Sequence, residues 1–374
     1  MASTGTALDT PLAAQHLRAG AKMGAWFACA LPDDFGDASA EYRFARESVA
    51  LIDKSYRAYL SFTGPDRVRY LNAILTNNIK DLAGGQGNVS LLLNPQGHIL
   101  AEIETYAFAD KLFCVSYATI RERLIEGLDK YIIMDDVTLT DETQRYSTLA
   151  LEGPKAAAVV KNLAGIDLEQ LSELASVDAE ILRSAHDDTL GNIAVKDVIP
   201  CRIVKRSPGR VSGAEFVVEQ ERLAALWQVL LDAVRKHGGG PMGYAALSAT
   251  RLAQGVPWFG YDFGEKQIPH EAGLQDSHIS YTKGCYTGQE IVERVRSRGQ
   301  VNRRRVELHF SGDVVPQAGT PLTLDGKEVG FVTRAAKAWD SVPPRVLGMA
   351  YVRKEGNAAG SILQCLGGTA TVTR

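Results

Sequence analysis

Residues Lys283-Gly284-Cys285-Tyr286-Thr287-Gly288-Gln289-Glu290 set one thiol between a lysine, two glycines and the start of a helical run, a combination that could support covalent or metal chemistry. Gly284 and Gly288 permit a tight turn with accessible backbone. Thr287 followed by Glu290 predicts a capping box that opens a helix reaching about Arg298. Cys285 would then stand just outside a helix N-terminus. Unpaired amides carry partial positive charge there, and with the Lys283 ammonium they favour the thiolate, the form that attacks electrophiles or binds metal. The other reading of Cys285 is a small turn residue without chemistry. Downstream, Arg294, Arg296, Arg298, Arg303, Arg304 and Arg305 put six guanidinium groups within twelve residues. Such a cluster suits anionic tails, an acidic partner or RNA phosphates. It lacks the interleaved aromatics that single-stranded nucleic acid prefers, so direct nucleic-acid binding is not expected, and a solvated helix end paired to Glu290 and Glu293 explains the same residues. Trp258 and Phe259, in the Gly/Pro-punctuated run from Pro257 to Asp262, could flank a flat ring or simply pack.

The rest of the chain must supply the frame. With 374 residues, 45% hydrophobic and 23% charged, it has the length for large cores and for two or three domains. A net charge of −3 gives no overall pull toward nucleic acid. Cysteines at 29, 114, 201, 285 and 365 are widely spaced, odd in number and without a C-x-x-C pair, which argues against a disulfide framework and against a self-contained metal site. Cys114 and Cys201 lie in apolar runs and read as core residues. No long uncharged apolar stretch and no basic-then-apolar leader is present, so the expectation is a soluble, cytoplasmic protein with no membrane association.

The order of elements predicts an α+β protein. Helical spacing covers Pro11 to Lys22. Strands are expected at 59–62, 89–93, 99–108 and 112–116, with one helix after Gly64-Pro65-Asp66 and another from Thr119 to about Lys130. Asn94-Pro95-Gln96-Gly97 is the turn between two of these strands. The same grammar returns as a strand at 147–151, a Gly153-Pro154 turn, an Ala-rich helix, a polar connection, strands at 193–195, 201–204 and 215–218, and a helix from Glu221 to Lys236. Tyr244 to Gln254 reads as one more helix, closed by Gly255. Beyond Asn302, six short Val/Leu/Thr segments separated by turns, Asp325-Gly326 among them, predict a closed or nearly closed barrel. The divisions expected are 1–145, 146–300 and a C-terminal barrel at 301–374.

The octad, together with Ile268-Pro269-His270-Glu271-Ala272-Gly273-Leu274 before it and the basic run after it, resembles the signature of the YgfZ family of folate-binding proteins, linked to iron–sulfur enzymes. Across the length, Pro11-Leu12 with His16, Gly20-Ala21-Lys22-Met23, Gly64-Pro65-Asp66, Arg251-Leu252-x-x-Gly255 and Gly330-Phe331-Val332-Thr333 resemble the wider glycine-cleavage T-proteins, which are tetrahydrofolate-dependent aminomethyltransferases. The resemblance implies ferredoxin-like α/β units around a central hole, capped by the barrel, and tetrahydrofolate as the cofactor. By the same likeness, Asn94, Glu102, Arg251, Trp258, Tyr286 and Gln289 would contact folate, with Arg251 on a glutamyl carboxylate, while Cys285 and Lys283 would do the chemistry. T-proteins carry two adjacent acids where this chain has Ala101-Glu102, and an aspartate where it has Cys285. Two functions are therefore implied. One is support of the assembly or repair of iron–sulfur enzymes, including tRNA-modifying ones, with those enzymes or cluster carriers as partners. The other is folate-dependent aminomethyl or one-carbon transfer.

Overall fold

The computed structural model describes residues 7–187 and 193–374, and its core is built on two antiparallel-rich sheets. The first sheet runs in the order Gly87–Leu93, Ile99–Ala107, Leu112–Tyr117, Arg57–Thr63, Thr138–Asp141. The helices Arg67–Ile74 and Arg121–Asp129 bury Tyr70, Leu71, Ile74, Leu124 and Leu128 in the cluster on one face. The second sheet runs Ser176–Asp187, Ile193–Lys205, Gly213–Glu219, Tyr146–Glu152, Ala50–Asp53, Gly240–Pro241. Its helices Ala156–Ala164 and Leu223–Lys236 bury Val159, Val160, Leu226, Trp227 and Leu230. The remaining faces meet through Tyr59, Tyr106, Phe113 and Val115 on one side and Val204 and Val217 on the other. Alternation along each strand dictates this layering, since one set of side chains goes under the helices and the other toward the opposite sheet.

Gly64 and Gly153 begin equivalent Gly-Pro turns, both at positive φ. A Cβ at Gly64 would lie 2.2 Å from the Asp136 carbonyl oxygen, so the turn is closed against a neighbouring segment that only glycine tolerates. The strands Arg303–Phe310, Arg345–Arg353, Lys327–Ala338, Pro321–Leu324, Ile362–Cys365 and Gly368–Val372 close into a barrel, as their sequence predicts. Leu347 and Met349 leave that barrel's outer wall to pack with the helix Tyr244–Ala253 of the core.

Several local expectations are corrected. The first helix is only Ala13–Arg18, because Gly20 at positive φ turns the chain into an antiparallel hairpin, Lys22–Trp26 with Cys29–Asp34. The polar connection after the Ala-rich helix contains the strand Ser176–Asp187, where Val177, Ala179 and Ile181 face the core between charged neighbours. The segments expected at 193–195 and 201–204 are one continuous strand, Ile193–Lys205. No helix among the described residues is long and apolar enough to cross a membrane.

Candidate functional site

The octad docks on the Asn94 turn. Gly97 donates its amide to the Asn94 carbonyl at 2.9 Å, and the Asn94 side-chain oxygen accepts the His98 amide at 2.9 Å. Gly288 lies against this turn at φ +80°, where an added Cβ would sit 2.6 Å from the Asn94 oxygen. Two regions distant in sequence thus meet at a backbone contact that only a glycine allows. The capping box is not formed. The helix is Gln289–Arg298, its N-cap is Gly288, and no side chain caps it, because the left-handed Gly288 sets the entry in place of Thr287.

Cys285 is exposed, and the other four cysteines are buried. Lys283 does not serve the thiol. Its ammonium donates to the carbonyls of Asn72 and Leu75, orphan acceptors at the C-terminal end of the helix Arg67–Ile74, and lies 5.1 Å from the Tyr286 ring centroid. Burial pushes Lys283 down to about 8. Tyr286, only 7% exposed, packs in the first core with its hydroxyl unpartnered. Gln289 is half-buried at the first turn of its helix, where its amide meets the Tyr286 carbonyl at 3.2 Å. Asn94, Lys283, Cys285, Tyr286 and Gln289 therefore share one face.

Glu102 and Trp258 belong to a second place, the centre of the molecule. The tip of the Lys22–Asp34 hairpin puts Phe27 inside a box of rings. It stacks on Tyr56 at 4.1 Å and lies within 5.6 Å of Trp258, Tyr261 and Tyr117, with Tyr244 at 6.2 Å. Phe27 and Ala28 both adopt positive φ, 51° and 56°, costing on the order of 1 kcal/mol each, and the packing of Phe27 holds them there. Glu102 stands at the rim. One carboxylate oxygen accepts the Tyr117 hydroxyl at 2.7 Å, and the other lies 3.0 Å from His278 Nε2. A carboxylate so held faces inward and is not a solvated strand residue.

Below the box, five largely buried charges and the part-exposed Arg206 form one network. Lys54 donates to Glu152 and Glu215 at 3.0 Å each. Arg57 bridges Glu104 at 3.1 Å and Glu215 at 2.8 Å, and Arg206 reaches Glu104 at 3.0 Å. Three cations meet three carboxylates here, and Arg206 also reaches the exposed Glu173 at 3.6 Å. Burial pushes Glu104 up, but Arg57 and Arg206 outweigh it and hold the carboxyl at about 2. Beside this network opens a cleft of about 1090 Å³ whose wall includes Ala28, Cys29, Ser55, Arg57, Ala118 and Arg121.

Arg251 is corrected from a tail-binding residue to a structural one. It is 2% exposed, pairs with the buried Asp262, and its guanidinium lies 4.6 Å from the Trp258 centroid. Asp262 in turn accepts the Thr333 hydroxyl at 2.6 Å, so this pair stitches the core to the barrel. The Arg294–Arg305 run also disperses, since Arg303 pairs with Glu271, Arg305 donates to the Ala272 carbonyl and Arg296 stacks on Tyr281 at 4.1 Å. Sequence reasoning missed Phe27, Tyr56, Tyr117, Tyr244, Lys54, Arg57, Glu215 and His278. A signal existed for some. Asp53-Lys54-Ser55-Tyr56-Arg57 is a polar run between two apolar strands, and Glu215 interrupts an apolar one.

Comparison with known proteins bears on this geometry. The sequence profile described as the GCVT N-terminal domain matches residues 12–278. The aminomethyltransferase of Rubrobacter xylanophilus is 25% identical over 359 residues, 96% of this chain and 91% of its own length. That of Herpetosiphon aurantiacus is 28% identical over 327 residues, 87% of this chain and 85% of its own. The crystal structure of glycine cleavage system aminomethyltransferase T from Bartonella henselae superposes with a TM-score of 0.82 at 22% identity, covering 98% of this chain and 97% of that one, which establishes the fold.

Proposed function

The chain belongs to the GCVT N-terminal domain family, and from that premise we propose that it binds a tetrahydrofolate derivative beside Glu102 and uses it in support of iron–sulfur enzymes. The observation that carries the folate reading is the Glu102 carboxylate, oriented by Tyr117 and His278 at the rim of an aromatic box. The residues fit the group in kind. A carboxylate accepts from the amino edge of a pteridine, the aromatic side chains around Phe27 are of the kind that packs against a flat ring, and Arg121 along the adjoining cleft suits a tail carboxylate. When bound, the folate would supply a carrier for one-carbon units. The chain's own residues bind and orient it, and the buried aromatics keep water from its reacting edge.

The site departs from a transferase in two respects that favour the iron–sulfur role. Ala101 leaves Glu102 as the lone acid of its pair, and Cys285 is an exposed thiol on the octad. A single thiol supplies one ligand to a cluster shared with a partner, or one end of a transient adduct. Aminomethyl transfer is the second reading, favoured by the names of the relatives at 25–28% identity.

Calorimetric titration with tetrahydrofolate tests the first step. Wild type should bind, and Glu102→Ala should bind at least about tenfold more weakly, the worth of a charge-assisted hydrogen bond. A wild-type protein that takes up no tetrahydrofolate overturns the reading. Cys285→Ala, returned to a strain lacking the protein, separates the two uses. Lost activity of an iron–sulfur enzyme supports the first, whereas full activity in the Cys285→Ala strain with loss in the Glu102→Ala strain supports transfer.

A further inference from the structure

We propose that Ser277, His278 and Glu102 form a proton path from solvent to the aromatic box, in which His278 both fixes the Glu102 carboxylate and passes protons to it. The proposal rests on the reading of Glu102 as the polar edge of the folate site and adds to it a residue pair that the sequence did not single out. Ser277 is exposed, and its Oγ lies 2.7 Å from His278 Nδ1. His278 is 7% exposed, and its Nε2 lies 3.0 Å from Glu102 Oε1. Glu102 Oε2 accepts the Tyr117 hydroxyl at 2.7 Å, and the Tyr117 ring borders Phe27 and Tyr56. One unbroken chain of four side chains thus joins the surface to the box.

The proposal assigns the path a polarity: Nε2 donates to Glu102, whose other oxygen accepts the Tyr117 hydroxyl, and Nδ1 accepts from the Ser277 hydroxyl. The Leu274 carbonyl, 3.5 Å from the same hydroxyl, is the weaker partner. The imidazole is clamped through its backbone. Its carbonyl accepts the hydroxyl of the buried Thr76 at 2.6 Å, its amide donates to Leu274 at 3.0 Å, and the Thr76 hydroxyl accepts the Leu91 amide at 2.8 Å. A proton entering from water on Ser277 displaces the Ser277 proton to Nδ1, and the Nε2 proton moves to Glu102 Oε1. Each O–H or N–H bond broken is matched by one formed, nothing is oxidised, and the reverse sequence returns the proton. The path runs along a narrow edge, since the neighbouring rings Phe27 and Tyr244 are buried and the His278 and Glu102 side chains are only 9% and 16% exposed.

Two measurements test the path. Nitrogen NMR of the ligand-free protein should show neutral His278 as the Nε2–H tautomer, with Ser277→Ala shifting the Nδ1 resonance and Glu102→Gln the Nε2 resonance. An Nδ1–H tautomer, or resonances that neither substitution moves, overturns the proposal without reference to folate. Titration and stopped-flow binding of tetrahydrofolate then separate position from proton transfer. His278→Ala should weaken binding about tenfold, the loss of one hydrogen bond to a charged group, while His278→Gln, which keeps a donor at the same reach, should stay within about threefold. Glutamine cannot pass a proton, so a slowing of the binding rate in heavy water, roughly twofold in wild type, should vanish in His278→Gln. An isotope effect retained in that variant removes the relay. A wild type that binds no tetrahydrofolate removes the folate reading and leaves the tautomer result to judge the chain.

Discussion

The central box and the octad face handle polar groups in opposite ways. At the centre the charges are answered by partners: Lys54, Arg57 and the part-exposed Arg206 are matched by Glu104, Glu152 and Glu215, and Glu102 by Tyr117 and His278. On the octad face the thiol of Cys285 is exposed, while the residues around it do structural work: Lys283 on a helix end, Gly288 on the Asn94 turn, Tyr286 in the core. Stability and chemistry are therefore divided differently in the two places. Substitutions at the centre should cost the fold first, and substitution of the thiol should cost function alone.

The largest effect is expected at Glu215, which accepts from Lys54 at 3.0 Å and from Arg57 at 2.8 Å. Glu215→Ala leaves two buried cations short of a partner and should lower unfolding stability by about 3 to 5 kcal/mol, measured by urea denaturation. A loss below about 1 kcal/mol would mean that water reaches the network and that the centre is less sealed than its geometry implies. Gly288→Ala comes next. A Cβ at φ +80° and 2.6 Å from the Asn94 oxygen forces either the turn or the helix start to move, at a cost of roughly 1 to 3 kcal/mol. The sharper readout is local, since amide exchange should accelerate at Gly97 and Gln289 while the second sheet stays protected.

These two sites also show why part of the design could be read from sequence and part could not. The barrel, the Gly-Pro turns and the Gln289–Arg298 helix announce themselves through alternation, positive-φ glycines and helical spacing, all properties of adjacent residues. The octad stood out because its residue types are unusual together. The box did not as a whole, because Phe27, Tyr56, Tyr117 and Trp258 come from four separate segments, and of these only Trp258, in its Gly/Pro-punctuated loop, stands out from ordinary core. His278 was invisible for the same reason, as its partner Glu102 lies 176 residues away. Arg251 misled because a guanidinium that stitches two domains and one that grips a ligand carboxylate have the same sequence context. Only the buried Asp262 tells them apart.

Lys283 sharpens the comparison on the octad side. Its ammonium caps two carbonyls, so Lys283→Met should cost about 1 kcal/mol at neutral pH, in the range of a cation at a helix C-terminus. The pH dependence carries a sign. Burial holds the folded value near 8, below the ordinary 10.5, so the unfolded chain binds this proton more tightly. Between those values the unfolded state carries more protons, and the contribution of Lys283 to stability rises with pH across that window. Urea titrations of wild type minus Lys283→Met should show that rise, and a flat difference from pH 8 to 10.5 would mean that the two carbonyls hold the ammonium charged throughout.

The smallest effect on the fold should come from Cys285, and that smallness is the point of contrast with Glu215. An exposed side chain outside any core cluster contributes little to packing, so Cys285→Ser should change unfolding stability by no more than about 0.5 kcal/mol. Alkylation of the native protein by iodoacetamide should modify Cys285 and leave Cys29, Cys114 and Cys201 untouched, because burial pushes those thiols up to about 11, 12 and 12 and walls them off. The serine variant should then lose the labelling and keep tetrahydrofolate affinity, since Cys285 is not among the side chains that hold the Glu102 carboxylate. If affinity falls with the thiol, the two regions are one site and the division drawn between them fails. If it holds while support of an iron–sulfur enzyme disappears, the centre binds and the octad acts.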